Sequence, residues 1–477
     1  MEQTQTLQRE NPLGYRPVGK LLRQFALPSV ISMLVNAVYN IVDQIFIGQS
    51  LGLIGNGATV VALPLVSILL AVSTLLGAGG SAYAAIKLGE KDEREAERSL
   101  GTIFTLLIFI GILLMTAGLI FLKPIMYLFG STDTILPYAM DYSGILLLGA
   151  PFNMLGVALS NMARTDGNPN ISMYSMVAGA VLNTILDPIY IFVFHWGIKG
   201  AAIATITSQI VSAAILMWYF LRKSHLRLHL HDLVPVPRIC KKVFALGLSS
   251  CFTQLASTLL QIVMNNSLKY YGDLSAVGSN VAVTAVGIVM KVSMILIAVD
   301  IGIGIGSQPI LGFNQGARKP KRIRKTYLLA TGIATTVSIV GWLACILIPN
   351  ILLILFGTQD AQFTAFAVKS MRIFMGGVFC AGFQIVSTSY FQATGQPLKA
   401  SILSLLRQII FLIPLILILP LFMGLDGILW AGPIADICAG IVVLFFILHE
   451  MKKLNRWIRE TEDASEQPMS APAADRV

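Results

Sequence analysis

Charge is what this sequence has least of. Only 12% of its 477 residues are Asp, Glu, Lys or Arg, about half the share in an ordinary soluble domain, which excludes a solvated globular surface. Cysteine is also scarce. Cys240, Cys251, Cys345, Cys380 and Cys438 stand singly with no CxxC pair, so neither a disulfide framework nor a zinc knuckle is implied. No GxxxxGK[ST] stretch is present, which argues against an ATP-driven pump in this chain. HExxH and GxSxG are missing as well, and the sequence reads as no enzyme. The Gly-rich "GIGIGSQ" (302–308) has no strand before it and lies inside an apolar run, so it reads as a site of close helix packing. His225, His229, His231 and Asp232 fall in a charged connector and read as a solvated loop, not a metal site.

What the chain has in abundance is apolar runs. Mean hydropathy is +0.76 and 55% of residues are apolar. Twelve runs, from 24–48 to 427–449, are each long enough to cross a hydrocarbon core of about 30 Å. None alternates as a barrel strand would, so the expected fold is an all-α integral membrane protein. The first twenty residues lack the apolar core of a cleavable signal peptide, so the first run is retained. Basic connectors such as "RKSHLRLHLHD" (222–232) and "GARKPKRIRK" (316–325) place both termini in the cytoplasm. Of 34 Lys and Arg, only Lys123, Lys199, Lys269, Lys369 and Arg372 fall on the other side, while Lys291 and Arg407 lie within runs. This bias accounts for the net charge of +10, so basicity is no sign of a nucleic-acid partner. Small molecules and membrane lipid are the expected partners of a monomer with no cofactor.

The chain repeats itself. "LFGSTDTILPYAMDYSGILLLGAPF" (128–152) aligns with "LFGTQDAQFTAFAVKSMRIFMGGVF" (355–379), and "ARTDGNPNIS" (163–172) with "FQATGQPLKAS" (391–401), at an offset close to 227. Six runs followed by six more, in the same orientation, predict two six-helix bundles related by a pseudo-two-fold axis along the membrane normal. They would form a V with a central cavity. The expected division is an N-terminal lobe 1–221, a connector 222–242, a C-terminal lobe 243–450 and a disordered tail 451–477.

A charge near a bilayer centre is expensive and marks a partner, a water cavity or a function. Asp43, Asp187, Lys291, Asp300, Arg407 and Asp436 are such residues. Asn183 and Asp187 share one helix face, as do Tyr39 and Asp43. The repeat puts Met264, Ile410 and Pro414 opposite Asp43, Asn183 and Asp187, so helix packing alone does not require the polar cluster. If the two faces meet, the oxygens suit Na⁺, and two close carboxylates would share a proton. Pro188 lacks an N–H and predicts a kink that frees the Thr184 carbonyl. The plainer alternative is a tolerated kink with a hydrogen-bonded Asp. Arg407 and Asp436 are placed to pair. Asn153, Asn161, Gln261, Met264, Met290 and Asp300 are taken as lining the substrate cavity.

The stretches "YNIVDQIFIG" (39–48), "GNPN" (167–170), "LNTILDPIYIF" (182–192), "GIKGAAIATITSQ" (197–209) and "YFQATGQPLKAS" (390–401) resemble the multidrug and toxic compound extrusion (MATE) family, within its prokaryotic branch. The resemblance covers about residues 20–450. It implies a multi-pass protein of the bacterial plasma membrane that expels amphipathic, often cationic compounds in exchange for H⁺ or Na⁺. It also implies coupling roles for Asp43, Asn183, Asp187 and Thr205, with Tyr39 and Asn161 in the same lobe and Pro28 as a bending point. Gln254 and Gln261 stand where other branches carry a seventh-run acid. A lipid-linked oligosaccharide flippase of the same broad superfamily is the alternative.

Overall fold

A computed structural model describes residues 11–354 and 361–466. Residues 355–360, within the aligned repeat, and 467–477 of the tail lie outside the described residues. Twelve helices are long and apolar enough to span a membrane, and no strand occurs among the described residues. They are α1 Val18–Ser50, α2 Ile54–Gly89, α3 Glu93–Ile120, α4 Leu136–Thr165, α5 Pro169–Val193 and α6 Gly197–Arg222 in the first half. The second half has α7 Pro237–Asp273, α8 Val281–Gly316, α9 Pro320–Leu347, α10 Phe363–Ala393, α11 Pro397–Met423 and α12 Leu425–Asp463. Helical structure runs on to Glu466, so the tail expected to be disordered from 451 begins as a helix. "MKKLNRWIRE" (451–460) is rich in the helix formers Met, Lys, Leu, Arg and Glu, which allows this.

α1 and α2 lie on one helical stretch of 72 residues. A straight helix of that length would reach about 108 Å. It folds back instead. Ala26 and Val30 near its start, and Ala85 and Ile86 near its end, meet the same part of α8, 302–316. At the bend a Cβ on Gly48 would sit 3.0 Å from Asn56 Nδ2.

The repeat is written into the backbone. Left-handed residues recur at the repeat spacing: Lys91 (φ 65°) with Arg318 (52°), Gly197 (54°) with Gly424 (58°), and Gly167 (94°) with Gly395 (78°). Proline opens the helix after each of the connectors Asp166–Asn168 and Thr394–Gln396, where its missing N–H is no loss. Both α5 and α11 contain a π-helical stretch, Ile189–Val193 and Leu406–Leu412. An ion pair is mirrored with its charges exchanged: Asp141 with Lys199 (3.3 Å) between α4 and α6, and Lys369 with Asp426 (2.7 Å) between α10 and α12.

The two halves are joined by a seam of glycines. Gly79 and Gly247 sit against the backbone of Val243 and Leu75, Gly302 and Gly306 against Val30 and Ala26, Gly89 and Gly316 against Phe313 and Ile86. A Cβ at any of these would come within 3.0 Å of the facing backbone. All lie toward the face bearing the basic connectors and both described chain ends, so the two arms of the V meet on that side. Packing also crosses between the halves. Leu13, Leu21, Leu22 and Phe25 are buried in a core with Ile303, Ile310 and Phe313, while Leu226, Ile239, Val243 and Leu246 join the core of the first half. Gly247→Val should part the seam. A spin-label pair at Glu90 and Lys321 is expected to move apart in this variant, and an unchanged distance would show that the glycines do not hold that face closed.

Candidate functional site

α5 begins where the Asn168 side chain caps Ile171 N–H (3.3 Å) ahead of Pro169. Eighteen residues into α5 stands Asp187, with 0% exposure, and one turn earlier Asn183, with 1%. The kink expected at Pro188 takes the form of the π-turn Ile189–Val193. A wider turn absorbs a missing N–H without breaking the helix. Tyr190, Phe194 and Trp196 then stack on one another, with centroids 5.2–5.8 Å apart, and turn the chain into α6.

α6 brings Thr205 alongside. Asn183 Nδ2 donates to Asp187 Oδ1 (3.3 Å) and to Thr205 Oγ1 (3.4 Å). α1 brings the fourth member: the Asp43 carboxyl faces that of Asp187, close enough for each to act electrostatically on the other. Tyr39 lies within electrostatic reach of both acids. The sequence-derived group Tyr39, Asp43, Asn183, Asp187 and Thr205 is therefore one cluster in space. Tyr142 of α4 belongs to it too, buried and within electrostatic reach of Asp43, Tyr39 and Asp187. It was missed, although the repeat carries a signal, since Tyr142 aligns with Lys369.

Three buried oxygens of this cluster, Asp43 Oδ1, Asn183 Oδ1 and Asp187 Oδ2, have no donor. Buried oxygens are ordinarily satisfied, and a set of acceptors facing one another is chemically suited to hold a proton or a small hard cation. Among the described residues no group of three His, Cys, Asp or Glu is arranged for a metal ion. His229 lies 4.0 Å from Glu97 and His231 3.8 Å from Asp232, in a connector packed on α3 through Thr105 Oγ1 and the Leu233 carbonyl (2.6 Å).

The second half disposes of its charges differently. Arg407, half-buried, donates through Nε to the buried Asp436 Oδ1 in an ion pair. Asp300 is not a cavity residue: at 1% exposure it accepts from Ser338 Oγ (2.7 Å), which in turn accepts from Gly382 N–H (2.9 Å). Met264, also at 1%, is another correction, because it lies on the same face of α7 as Leu260 and Leu268 in the core. Met290 packs against that core as well. Gln261 is exposed and Asn153 half-buried. Asn161 lines a narrow crevice between the halves, with Ser81, Arg164, Thr165, Ile305 and Gln308. Pro28 sits where α1 leaves the second half's core, its carbonyl accepting from Ser32 Oγ (2.8 Å).

The MatE family profile matches residues 28–189 and 249–418, most of the membrane-embedded chain. This chain belongs to the MatE family. It is a multi-pass membrane transporter and not an enzyme. It is 28% identical over 436 residues to the multidrug export protein MepA of Staphylococcus aureus strain MRSA252, covering 91% of this chain and 94% of that one. Among solved structures it is similar to the MATE multidrug transporter DinF-BH, at 34% identity and a TM-score of 0.84, covering 92% and 98% of the two chains. An outward-facing MATE family transporter of the MOP superfamily shares the fold at a TM-score of 0.86 and 23% identity, covering 94% and 98%.

In this MatE transporter the "ARTDGNP" acid is structural. Asp166 is 7% exposed and accepts from Tyr219 Oη, Ser224 Oγ (2.8 Å), His225 N–H (3.2 Å) and Leu226 N–H (2.7 Å). It clamps the chain leaving α6. Each bond to a charged acceptor contributes about 1.5–3 kcal/mol, so Asp166→Asn should lower the unfolding temperature of the detergent-solubilised protein by several degrees. An unshifted melting curve would remove this clamp from the account.

Proposed function

We propose that this transporter exports amphipathic, often cationic compounds across the bacterial plasma membrane in exchange for H⁺, through the cluster of Asp43 and Asp187. The observation that carries this reading is the three buried oxygens Asp43 Oδ1, Asn183 Oδ1 and Asp187 Oδ2, which face one site and have no donor. Two carboxyl groups that meet this way hold a proton between them, and losing it sets like charges against each other. The similarity to the multidrug exporter MepA and the multidrug transporter DinF-BH supports drug-like cargo. Na⁺ is the second reading, favoured by Asn183 Oδ1, a buried acceptor that cannot take up a proton at ordinary pH.

In this reading the basic face is cytoplasmic, with both termini on it, and the lobes 1–221 and 243–450 are closed there. The cleft is then open to the outside. α1 connects the two events. Its start is packed in the second half's core and its acid in the first half, so a change of charge at Asp43 acts on a helix held at both ends, with Pro28 as the bend. One positive charge moving inward down 100 mV supplies about 2.3 kcal/mol, a useful drive for accumulation against a gradient.

Asp43→Asn and Asp187→Asn should each abolish ion-driven efflux of ethidium from proteoliposomes while the protein still folds. Tyr142→Phe should slow it without abolishing it. Full activity in both Asn variants would overturn the assignment. At fixed pH, replacing Na⁺ with choline should leave transport unchanged under H⁺ coupling and stop it under Na⁺ coupling.

A further inference from the structure

α8 presents two faces. Gly302 and Gly306 abut Val30 and Ala26 of α1, and Gly316 abuts Ile86 of α2, so this stripe faces the first half. Ala282, Ala285, Val289 and Ile303 are buried on the other side, in the second half's cores. Pro309 is the helix's one proline, so regular helical periodicity holds above it. Lys291 precedes Gly302 by eleven residues, about three turns, and therefore stands on the stripe facing the first half, in the part of the cleft above the seam. Asp300 is nine residues from Lys291, about two and a half turns, which puts it on the opposite face, where Ser338 holds it. The two charges of α8 cannot neutralise each other.

Lys291 is partly exposed and, among the described residues, has no carboxylate or hydrogen-bond partner. One turn above it, nothing lies within 4 Å of where a Gly287 side chain would begin, so the wall borders open space at this level. The first half offers no acid across that space from α1. Continuing the Val30 face of α1 brings up half-buried Ile41 and exposed Gln44, while Tyr39 and Asp43 point away into their own bundle. At the floor the pattern recurs. Arg164, 4% exposed at the crevice between the halves, donates among the described residues only to neutral acceptors: Ser172 Oγ (2.6 Å), Asn161 Oδ1 (2.8 Å) and Ser160 Oγ (3.4 Å).

We propose that Lys291 is a substrate-binding residue of the cleft that engages a carboxylate or similar anionic group where an amphipathic cargo carries one, zwitterions included. The proposal rests on the export reading and assigns its substrate class. An ammonium about 15 Å below the outer end of α8 (ten residues at 1.5 Å), with no fixed counter-charge, gains most from an anion on the cargo. The acids that bind the coupling ion stay behind the wall of the first bundle, where they do not compete for it.

The test uses two dyes that differ by one group, rhodamine B with a free carboxylate and its ethyl ester without one. Wild-type protein should bind and export rhodamine B. Lys291→Gln should weaken rhodamine B binding and efflux by about tenfold, as expected for one charge-assisted contact, and leave the ester nearly unaffected. Lys291→Arg should keep rhodamine B. Equal loss of both dyes, loss of neither, or a wild type that binds only the ester would each overturn the proposal. Binding is read by fluorescence polarisation of the purified protein, which needs no ion gradient. Asp187→Asn should stop export of both dyes yet retain the Lys291-dependent difference in binding, so failure of the coupling reading is told apart from failure of this one.

Discussion

Two carboxyl groups face each other inside the first bundle among buried oxygens that have no donor, and this juxtaposition sets the requirements for everything around it. Asp43 and Asp187 come from different helices, so they meet only if α1 and α5 are packed side by side. They remain together only while something positive lies between them. Asn183 and Thr205 orient one carboxylate, and the π-turn after Pro188 lets α5 carry the acid and still reach α6. In the proposed exchange, uptake and release of a positive charge become a mechanical event where these two helices meet.

That contact matters beyond the first bundle because α1 belongs to both halves. Its first turns are buried with α8 residues, and Asn314, Lys319 and Arg322 hold the backbone of Leu13, Gly14 and Arg16. Its later turns carry Tyr39 and Asp43 into the first bundle. The glycine seam is the complementary device. Backbones pressed together without side chains have little to unlock when they separate, and van der Waals contact is the main attraction lost. A seam of large interlocking side chains would resist a swing that a coupling ion is able to drive.

Much of this was legible in the residues. Helix-length apolar runs give the spans because a bilayer permits few alternatives, and the offset near 227 reappears as left-handed residues at matched positions. The acid cluster was legible because charge in a membrane is rare enough to be informative singly. Tyr142 was not, since a tyrosine in a span draws no notice until its neighbours are known. Met264 and Asp300 were misplaced for a related reason: polarity and repeat position say that a residue is unusual, but only helix rotation says which way it faces. The seam was equally hidden. Glycines that touch across a lobe interface look in sequence like glycines that bend a helix.

The two halves have kept one backbone and diverged in charge. The turns, prolines and π-stretches correspond, and the ion pairs on the open face survive with their signs exchanged. Inside, the first half places its acids together without a fixed cation, and the second neutralises Asp436 with Arg407 and ties Asp300 to a serine. A site proposed to change charge cannot carry a permanent counter-ion, whereas the second half gives its buried acids fixed partners, although Asp300 Oδ1 keeps none. Lys291 differs from both, having no partner among the described residues. A charge left unpaired there, on the face turned to the cleft, serves neither packing nor coupling, which leaves the cargo as the partner it is built to meet.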